Sequence, residues 1–185
     1  MGRDKASLVI IEGELSQAGR ALGLLRQFCA ETYISLRDGQ DVPLGAEGVL
    51  VLRDDPGAEG PLAGLMAAFR TAPEAVWLAL ACDLPFVYAG LLARLLECHE
   101  RKPGFPFVAY ANSTDGLPEP LCAIYGPSAR PILASYAARG QFSPRQIMVE
   151  ENVVLLDVSG GDAPALTNVN TPQDLAVARA KIGQK

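Results

Sequence analysis

The chain has 185 residues, 49% of them hydrophobic and 20% charged, which is typical of one soluble domain with a sizeable core. Its net charge of −5 argues against a protein that binds nucleic acid through a basic face. The sequence shows no apolar stretch long enough to cross a membrane and no export signal. We therefore expect a single domain over residues 1–185, located in the cytoplasm.

The sequence also limits the chemistry that the chain can perform. Its cysteines are dispersed, with no Cys-x-x-Cys pair, which predicts free thiols in a reducing compartment at Cys29, Cys82, Cys98 and Cys122. His99 is the only histidine, which argues against a histidine-based catalytic triad or a zinc site. Catalysis must then rest on carboxylates, lysine and backbone amides, with or without a metal.

Strand-like and helix-like segments alternate along the chain. Apolar spacing predicts a strand at 7–11, a helix at 15–29, strands at 32–36 and 48–52, a helix at 62–69, a strand at 76–81 and a helix at 88–100. Further along it predicts strands at 107–111 and 121–125, helices at 128–138 and 144–150, a strand at 153–158 and a helix at 172–182. This alternation predicts a three-layer α/β domain with a mostly parallel sheet, whose ligands bind at the carboxyl ends of the strands.

Two loops that follow predicted strands carry acidic residues. Asp54 and Asp55 follow the strand that ends at Leu52, and Asp83 follows the strand that ends at Ala81. A carboxylate beside a buried strand is costly unless it is paired, and Mg²⁺ is a suitable partner that also binds phosphates. On position alone, a metal ligand and a turn or helix cap are equally good interpretations of Asp83. For Asp54 and Asp55 position alone favours a solvated turn.

Three weaker segments are compatible with an anionic ligand. The run Gly-Pro-Leu-Ala-Gly at 60–64 precedes a helix, where small residues let a ligand approach backbone amides, although such runs are also common in loops. Lys5 lies near Gly2 and can bind phosphate. Considered without the rest of the chain, however, residues 1–5 are better interpreted as a disordered terminus. Asn168 and Asn170 share a face in an extended segment, but their spacing alone favours a helix cap.

Together and in this order, these segments resemble the molybdenum cofactor guanylyltransferase (MobA) family. Residues 1–5 are similar to the end of its Arg-Met-Gly-x-Asp-Lys signature, and residues 54–64 to its acidic turn and Gly-Pro-Leu-Ala-Gly run. Residues 81–85 resemble its Cys-Asp-x-Pro motif, and residues 119–125 the segment before its later helices. Residues 168–175 resemble its Asn-x-Asn-Thr-Pro-x-Asp-Leu ending. Five motifs in this order, across nearly the whole chain, make the resemblance specific.

The resemblance implies a Rossmann-like nucleotidyltransferase that uses Mg²⁺ to transfer GMP from GTP to molybdopterin, with release of pyrophosphate. Lys5 would neutralise the triphosphate and stabilise developing charge, and Asp83 would hold Mg²⁺, so both are candidate catalytic residues. Asn168 and Asn170 would face the phosphate of the pterin substrate. The nucleotide would contact Gly2, Lys5, Asp54, Gly60, Pro61, Leu62, Gly64 and Asp83.

Two departures from the family pattern leave alternatives open. A strand and a Leu-Ala-Gly-Gly loop would precede Met1, so we expect either a start at an internal methionine or a divergent relative of reduced activity. Arg37 stands where the family often has an asparagine that contacts the nucleotide, so the reaction type is better supported than the choice of guanine. The alternatives are a cytidylyltransferase or sugar-phosphate nucleotidyltransferase of the same fold, or a non-catalytic nucleotide-binding relative.

The resemblance also bears on partners. It implies GTP and molybdopterin as small-molecule substrates, and no nucleic acid or membrane as a partner. Transient contact with molybdoenzymes or with other proteins of cofactor biosynthesis is a further expectation.

Overall fold

The computed structural model describes residues 15–112, 114–158 and 165–169, together with Asp174 and Ala176. Helices and strands alternate as the sequence predicts. In chain order they are α1 (Gln17–Leu25), β1 (Tyr33–Leu36), β2 (Leu50–Arg53), α2 (Pro61–Thr71), β3 (Trp77–Leu80), α3 (Ala89–Arg101), β4 (Phe107–Ala111), β5 (Pro118–Tyr125), α4 (Ala129–Ala138), α5 (Pro144–Glu150) and β6 (Val153–Leu156). The predicted strand at 7–11 and most of the predicted helix at 172–182 lie outside the described residues.

Within the described residues, the strands pair as two sheets. β1 and β2 pair in parallel, and β3, β5, β4 and β6 form a second sheet in that order. β5 pairs antiparallel with both β3 and β4, whereas β4 and β6 pair in parallel. β3, β4 and β6 therefore run in one direction, and β5 is the reversed strand among those described. This arrangement confirms the α/β class predicted from the sequence.

Helices cover both faces of the larger sheet. On one face α2, α4 and α5 pack on side chains of β4 and β5 that include Phe107, Ala123 and Tyr125. On the other face α3 packs on the alternate residues, Cys122 and Ile124 among them. Successive residues of β5 thus point to opposite faces, as in any strand. The result is the three-layer arrangement that the sequence predicts.

Buried apolar side chains hold these layers together. Leu91, Leu92 and Leu95 repeat along one side of α3 and are completely buried. Burial of each such side chain stabilises the fold by about 1.5–3 kcal/mol. Among the described residues, no helix is both long and apolar enough to span a bilayer.

Most element boundaries differ from the prediction by one to four residues, and hydrogen bonds explain two of these differences. α1 begins at Gln17 because the Ser16 hydroxyl accepts a hydrogen bond from the Gly19 amide at 3.1 Å, and this caps the helix. β5 begins three residues earlier than predicted, at Pro118, because a tight hairpin joins it to β4. In that hairpin the Asn112 amide donates to the Leu117 carbonyl at 2.8 Å.

Candidate active site

The turn after β2 is bonded to the end of β1. The Asp54 amide donates to the Leu36 carbonyl at 3.1 Å, and the Ser35 hydroxyl donates to Asp54 Oδ1 at 2.6 Å. Because β1 and β2 are parallel, with Leu36 opposite Arg53, both strands end at the same edge. Asp54 is therefore held at the carboxyl edge of this sheet by one backbone and one side-chain contact.

Gly64, in the first turn of α2, lies against this pair. A Cβ added at Gly64 would collide with Ser35 Oγ, and it would lie 3.1 Å from Ser35 Cβ and 3.5 Å from Asp54 Oδ1. Only glycine allows the helix to approach β1 and Asp54 so closely. Three residues from separate segments thus form one contact, and two of them, Asp54 and Gly64, are predicted nucleotide-binding residues.

Asp55 has a structural role in the same turn. Its Oδ1 accepts a hydrogen bond from the Gly57 amide at 2.8 Å, and its Oδ2 forms an ion pair with Arg70 of α2. The Asp55 amide in turn donates to the Ala63 carbonyl at 3.0 Å. These contacts fasten the turn to α2. Asp55 therefore has a structural role in the turn, as position alone favours.

The start of α2 presents backbone rather than side chains to solvent. Gly60, the residue before the helix, has φ +58°, a conformation that favours glycine, and Pro61 occupies the first turn. The first turn has no acidic side chain to offset the partial positive charge of the helix N-terminus. Leu62, predicted to contact the nucleotide, is completely buried, so neither its side chain nor its backbone reaches solvent.

Asp83 lies in a loop that is anchored on three sides. Just before it, the Ala81 amide donates to the Leu121 carbonyl of β5 at 2.7 Å. After it, Arg20 of α1 donates to the Val87 carbonyl at 2.6 Å. The Asp83 carbonyl itself accepts from the Val169 amide at 2.9 Å. These bonds leave the Asp83 side chain partly exposed at the carboxyl end of β3.

The bond to Val169 brings a second predicted segment to the same place. Val169 is almost fully buried, whereas its neighbour Asn168 is exposed. Asn168 is therefore one residue from the backbone bond that joins its segment to the Asp83 loop. Gly2, Lys5 and Asn170 lie outside the described residues.

A charged group that sequence reasoning missed lies next to this loop. Glu119, at the start of β5, is only 4% exposed, and its Oε2 accepts from Arg145 Nη2 of α5 at 3.1 Å. Arg145 Nη1 also contacts Asp115 Oδ2 at 2.9 Å. The sequence does show an acidic residue, Glu119, at the edge of an apolar strand. It does not show that the partner is Arg145, which is distant in the chain.

Comparisons with known proteins place this geometry in a family. Residues 1–153 match the family described as MobA-like NTP transferase domain. The chain belongs to this family. It is therefore a nucleotidyltransferase, as the sequence motifs predict.

Two curated relatives and one solved structure show how far the likeness extends. The chain is 30% identical over 178 residues to a probable molybdenum cofactor guanylyltransferase of Mycobacterium ulcerans, covering 95% of the chain and 85% of the relative. It is 26% identical over 174 residues to a molybdenum cofactor biosynthesis bifunctional protein of Synechocystis, but spans only 48% of that protein. Molybdopterin-guanine dinucleotide biosynthesis protein A of Archaeoglobus fulgidus superposes with a TM-score of 0.79 at 24% identity, covering 100% and 93% of the two chains.

The described part of this nucleotidyltransferase contains no group of three side chains able to ligate a metal. A magnesium ion that shares its coordination with substrate phosphates needs only one or two protein carboxylates. Asp83, a partly buried carboxylate on a loop held by hydrogen bonds, is a hard oxygen ligand of that kind. The residues present therefore fit the magnesium that the sequence leads us to expect.

The surroundings of Cys122, which include Glu119, predict how readily its thiol ionises. Burial, and to a lesser extent the negative charge of Glu119, raises the pKa of Cys122 to about 12. At pH 8 only about one Cys122 in 10⁴ would be a thiolate, so we expect iodoacetamide to label Cys122 only after unfolding. Because the unfolded thiol ionises near its ordinary pKa of 9.0, this group should also favour unfolding as pH rises from there towards 12. Peptide mass spectrometry of native and denatured protein measures the labelling, and rapid native labelling would contradict the burial.

Proposed function

We propose that this nucleotidyltransferase transfers GMP from GTP to molybdopterin, with Mg²⁺, to form molybdopterin guanine dinucleotide. The bond between the Val169 amide and the Asp83 carbonyl carries the proposal, because it supports a site to which both Asp83 and the neighbouring Asn168 contribute. The names of the curated relatives support the same substrates. Contact with molybdoenzymes or with other biosynthetic proteins stays a prediction.

The reaction balances without an enzymatic base. An oxygen of the molybdopterin phosphate attacks the α-phosphorus of GTP, a new P–O bond forms, and the bond to the β-phosphate oxygen breaks to release pyrophosphate. The attacking phosphate is already an anion at neutral pH. Such transfers depend chiefly on positioning and on charge stabilisation, which suits a site without histidine.

Each residue would then act by contact or by charge. Asp83 would hold Mg²⁺, which when bound offsets negative charge on the phosphate oxygens. Lys5 would add a second positive charge there, and Asn168 and Asn170 would bind the acceptor phosphate. On the nucleotide side, Asp54 and Gly2 would line the cleft. Gly60, Pro61 and Gly64 at the start of α2 would complete it, whereas Leu62 is buried.

A competition assay tests the proposal and the choice of nucleotide. The purified chain is incubated with Mg²⁺, molybdopterin and equal concentrations of GTP, CTP and UTP, and mass spectrometry quantifies each dinucleotide. We expect the guanine dinucleotide to exceed the other products at least tenfold. A dominant cytosine product would instead support a cytidylyltransferase. Magnesium-dependent GTP binding without any product would support a non-catalytic nucleotide-binding relative.

A further inference from the structure

The charged group described above joins three separate elements. Arg145 lies in the first turn of α5, Asp115 in the hairpin between β4 and β5, and Glu119 at the start of β5. The side chain of Glu119 is 5% exposed, whereas those of Arg145 and Asp115 are 33% and 41% exposed. Glu119 is therefore a buried anchor, and the other two side chains reach solvent. We name Asp115, Glu119 and Arg145 the hairpin cluster.

The hairpin cluster lies at the edge of the sheet that carries Asp83. Leu80 of β3 is opposite Cys122 of β5, and the next bond joins the Ala81 amide to the Leu121 carbonyl. Glu119 is two residues from this bond along β5, and Asp83 is two residues from it along the loop that follows β3. Because β5 is reversed, its start and the preceding hairpin lie at the carboxyl end of β3.

The cluster and Asp54, one of the predicted nucleotide contacts, lie on different pairs of strands. Asp54 and its partner Ser35 belong to the sheet of β1 and β2, whereas Glu119 belongs to the sheet of β3 and β5. The Asp83 loop follows β3, whose ladder partner is β5. The hairpin cluster is thus a neighbour of Asp83 outside the set of residues expected to hold the nucleotide.

The hydrogen-bonding capacity of the cluster is only partly used. An arginine has five N–H donors, and within the described residues Arg145 uses one to Asp115 and one to Glu119. Asp115 accepts from Arg145 through Oδ2 and from the Leu117 amide through Oδ1 at 3.0 Å, and each oxygen retains a lone pair. The exposed part therefore offers both donors and acceptors to a ligand.

The charge balance of the cluster indicates what kind of ligand this is. Two carboxylates and one guanidinium give a net charge of −1, which disfavours an additional anion. A neutral ring with adjacent N–H donors and a carbonyl is complementary, because a carboxylate can accept from the donors while arginine donates to the carbonyl. The 2-amino-4-oxo-pyrimidine edge has this pattern, and pterins and guanine both present it.

We propose that Asp115 and Arg145 bind the 2-amino-4-oxo edge of the pterin ring of the acceptor, with Glu119 as the residue that positions Arg145. This inference rests on the proposed function, because it assigns the acceptor's ring to a place beside Asp83. The pterin is favoured over guanine because the cluster is on β5, the ladder partner of β3, whereas Asp54 is bonded to the end of β1. Loss of one partner would leave buried or paired polar groups unsatisfied, which weakens binding.

Two conservative variants test the inference, Asp115→Asn and Arg145→Lys. We expect each to raise the KM for molybdopterin roughly tenfold or more, with kcat at saturation and the Kd for GTP changed less than about twofold. Glu119→Gln should show the same split between the two substrates. The matched control is Glu97→Gln, which breaks the exposed Glu97–Arg101 pair on α3 and should change neither constant.

A binding measurement separates this inference from the proposed reaction. Fluorescence titration with 6-hydroxymethylpterin, which has the ring but no phosphate, should show saturable binding that Asp115→Asn weakens about tenfold. If the dinucleotide forms but neither KM nor pterin binding responds, the subsite is wrong and the reaction stands. If the variants instead weaken GTP binding, the assignment of the pterin subsite is also overturned. The same holds if they lower Tm and raise the KM for GTP and the KM for molybdopterin together. Absence of any dinucleotide alongside Asp115-dependent pterin binding would contradict the reaction alone.

Discussion

Replacement of Asp83 by asparagine is expected to lower kcat for nucleotidyl transfer by roughly 10³-fold, or on the order of 4 kcal/mol in activation free energy. Asparagine keeps the size of the side chain but removes the charge that would hold Mg²⁺. The loop should survive, because its contacts at Ala81, Val87 and the Asp83 carbonyl are made by backbone groups. Single-turnover measurement with saturating GTP, molybdopterin and Mg²⁺ isolates the chemical step.

The control for this variant is Glu74→Gln. Glu74 is an exposed carboxylate in the turn before β3, and it therefore lies at the opposite end of that strand from Asp83. Its loss should leave kcat and Tm unchanged. Full turnover by Asp83→Asn would remove Asp83 from the mechanism, and a collapse of Tm would show that its role is structural.

Gly64→Ala is expected to weaken GTP binding at least about tenfold and to lower the free energy of unfolding by about 1–3 kcal/mol. The added methyl group would displace Ser35 and disturb its 2.6 Å bond to Asp54. The disturbance would occur where the start of α2 meets the predicted nucleotide contact. Calorimetric titration with GTP and thermal unfolding measure the two effects.

Gly23→Ala provides a matched control, because Gly23 is in the last turn of α1 and an added Cβ would meet nothing within 4 Å outside its chain neighbours and its own helix backbone. That substitution should stabilise the protein by about 0.5–1 kcal/mol, since alanine is the better helix former. Adding Ser35→Ala to Gly64→Ala should restore part of the stability, because the hydroxyl is the nearest obstacle. If both glycine variants behaved alike, the close approach of α2 to β1 would be refuted.

The sequence predicted the elements and the acidic loops well because those signals are local. Asp83 stands out in the sequence because it closely follows an apolar strand, and the α/β class because helical and strand periodicities alternate. The reversed direction of β5 has no such signal. The six residues between β4 and β5 can reverse the chain only as a hairpin, but this becomes evident only once β5 is seen to begin at Pro118.

Contacts between distant residues could not be predicted in this way. Glu119 and Arg145 are 26 positions apart, and Ser35 and Asp54 are 19 apart. Periodicity indicates which face of an element is buried, but it does not show which polar groups meet when elements pack. For this reason Asp54 was identified without its partner, and the hairpin cluster was missed.

The position of an isotopic label tests the central claim most directly. The chain is incubated with molybdopterin, Mg²⁺ and GTP labelled with ³²P at either the α or the γ phosphate, and the pterin product is separated by chromatography. Nucleotidyl transfer with release of pyrophosphate predicts that the α label enters the product and that the γ label is recovered entirely as pyrophosphate. A product labelled from the γ phosphate, or one without label from either position, would contradict the proposed reaction.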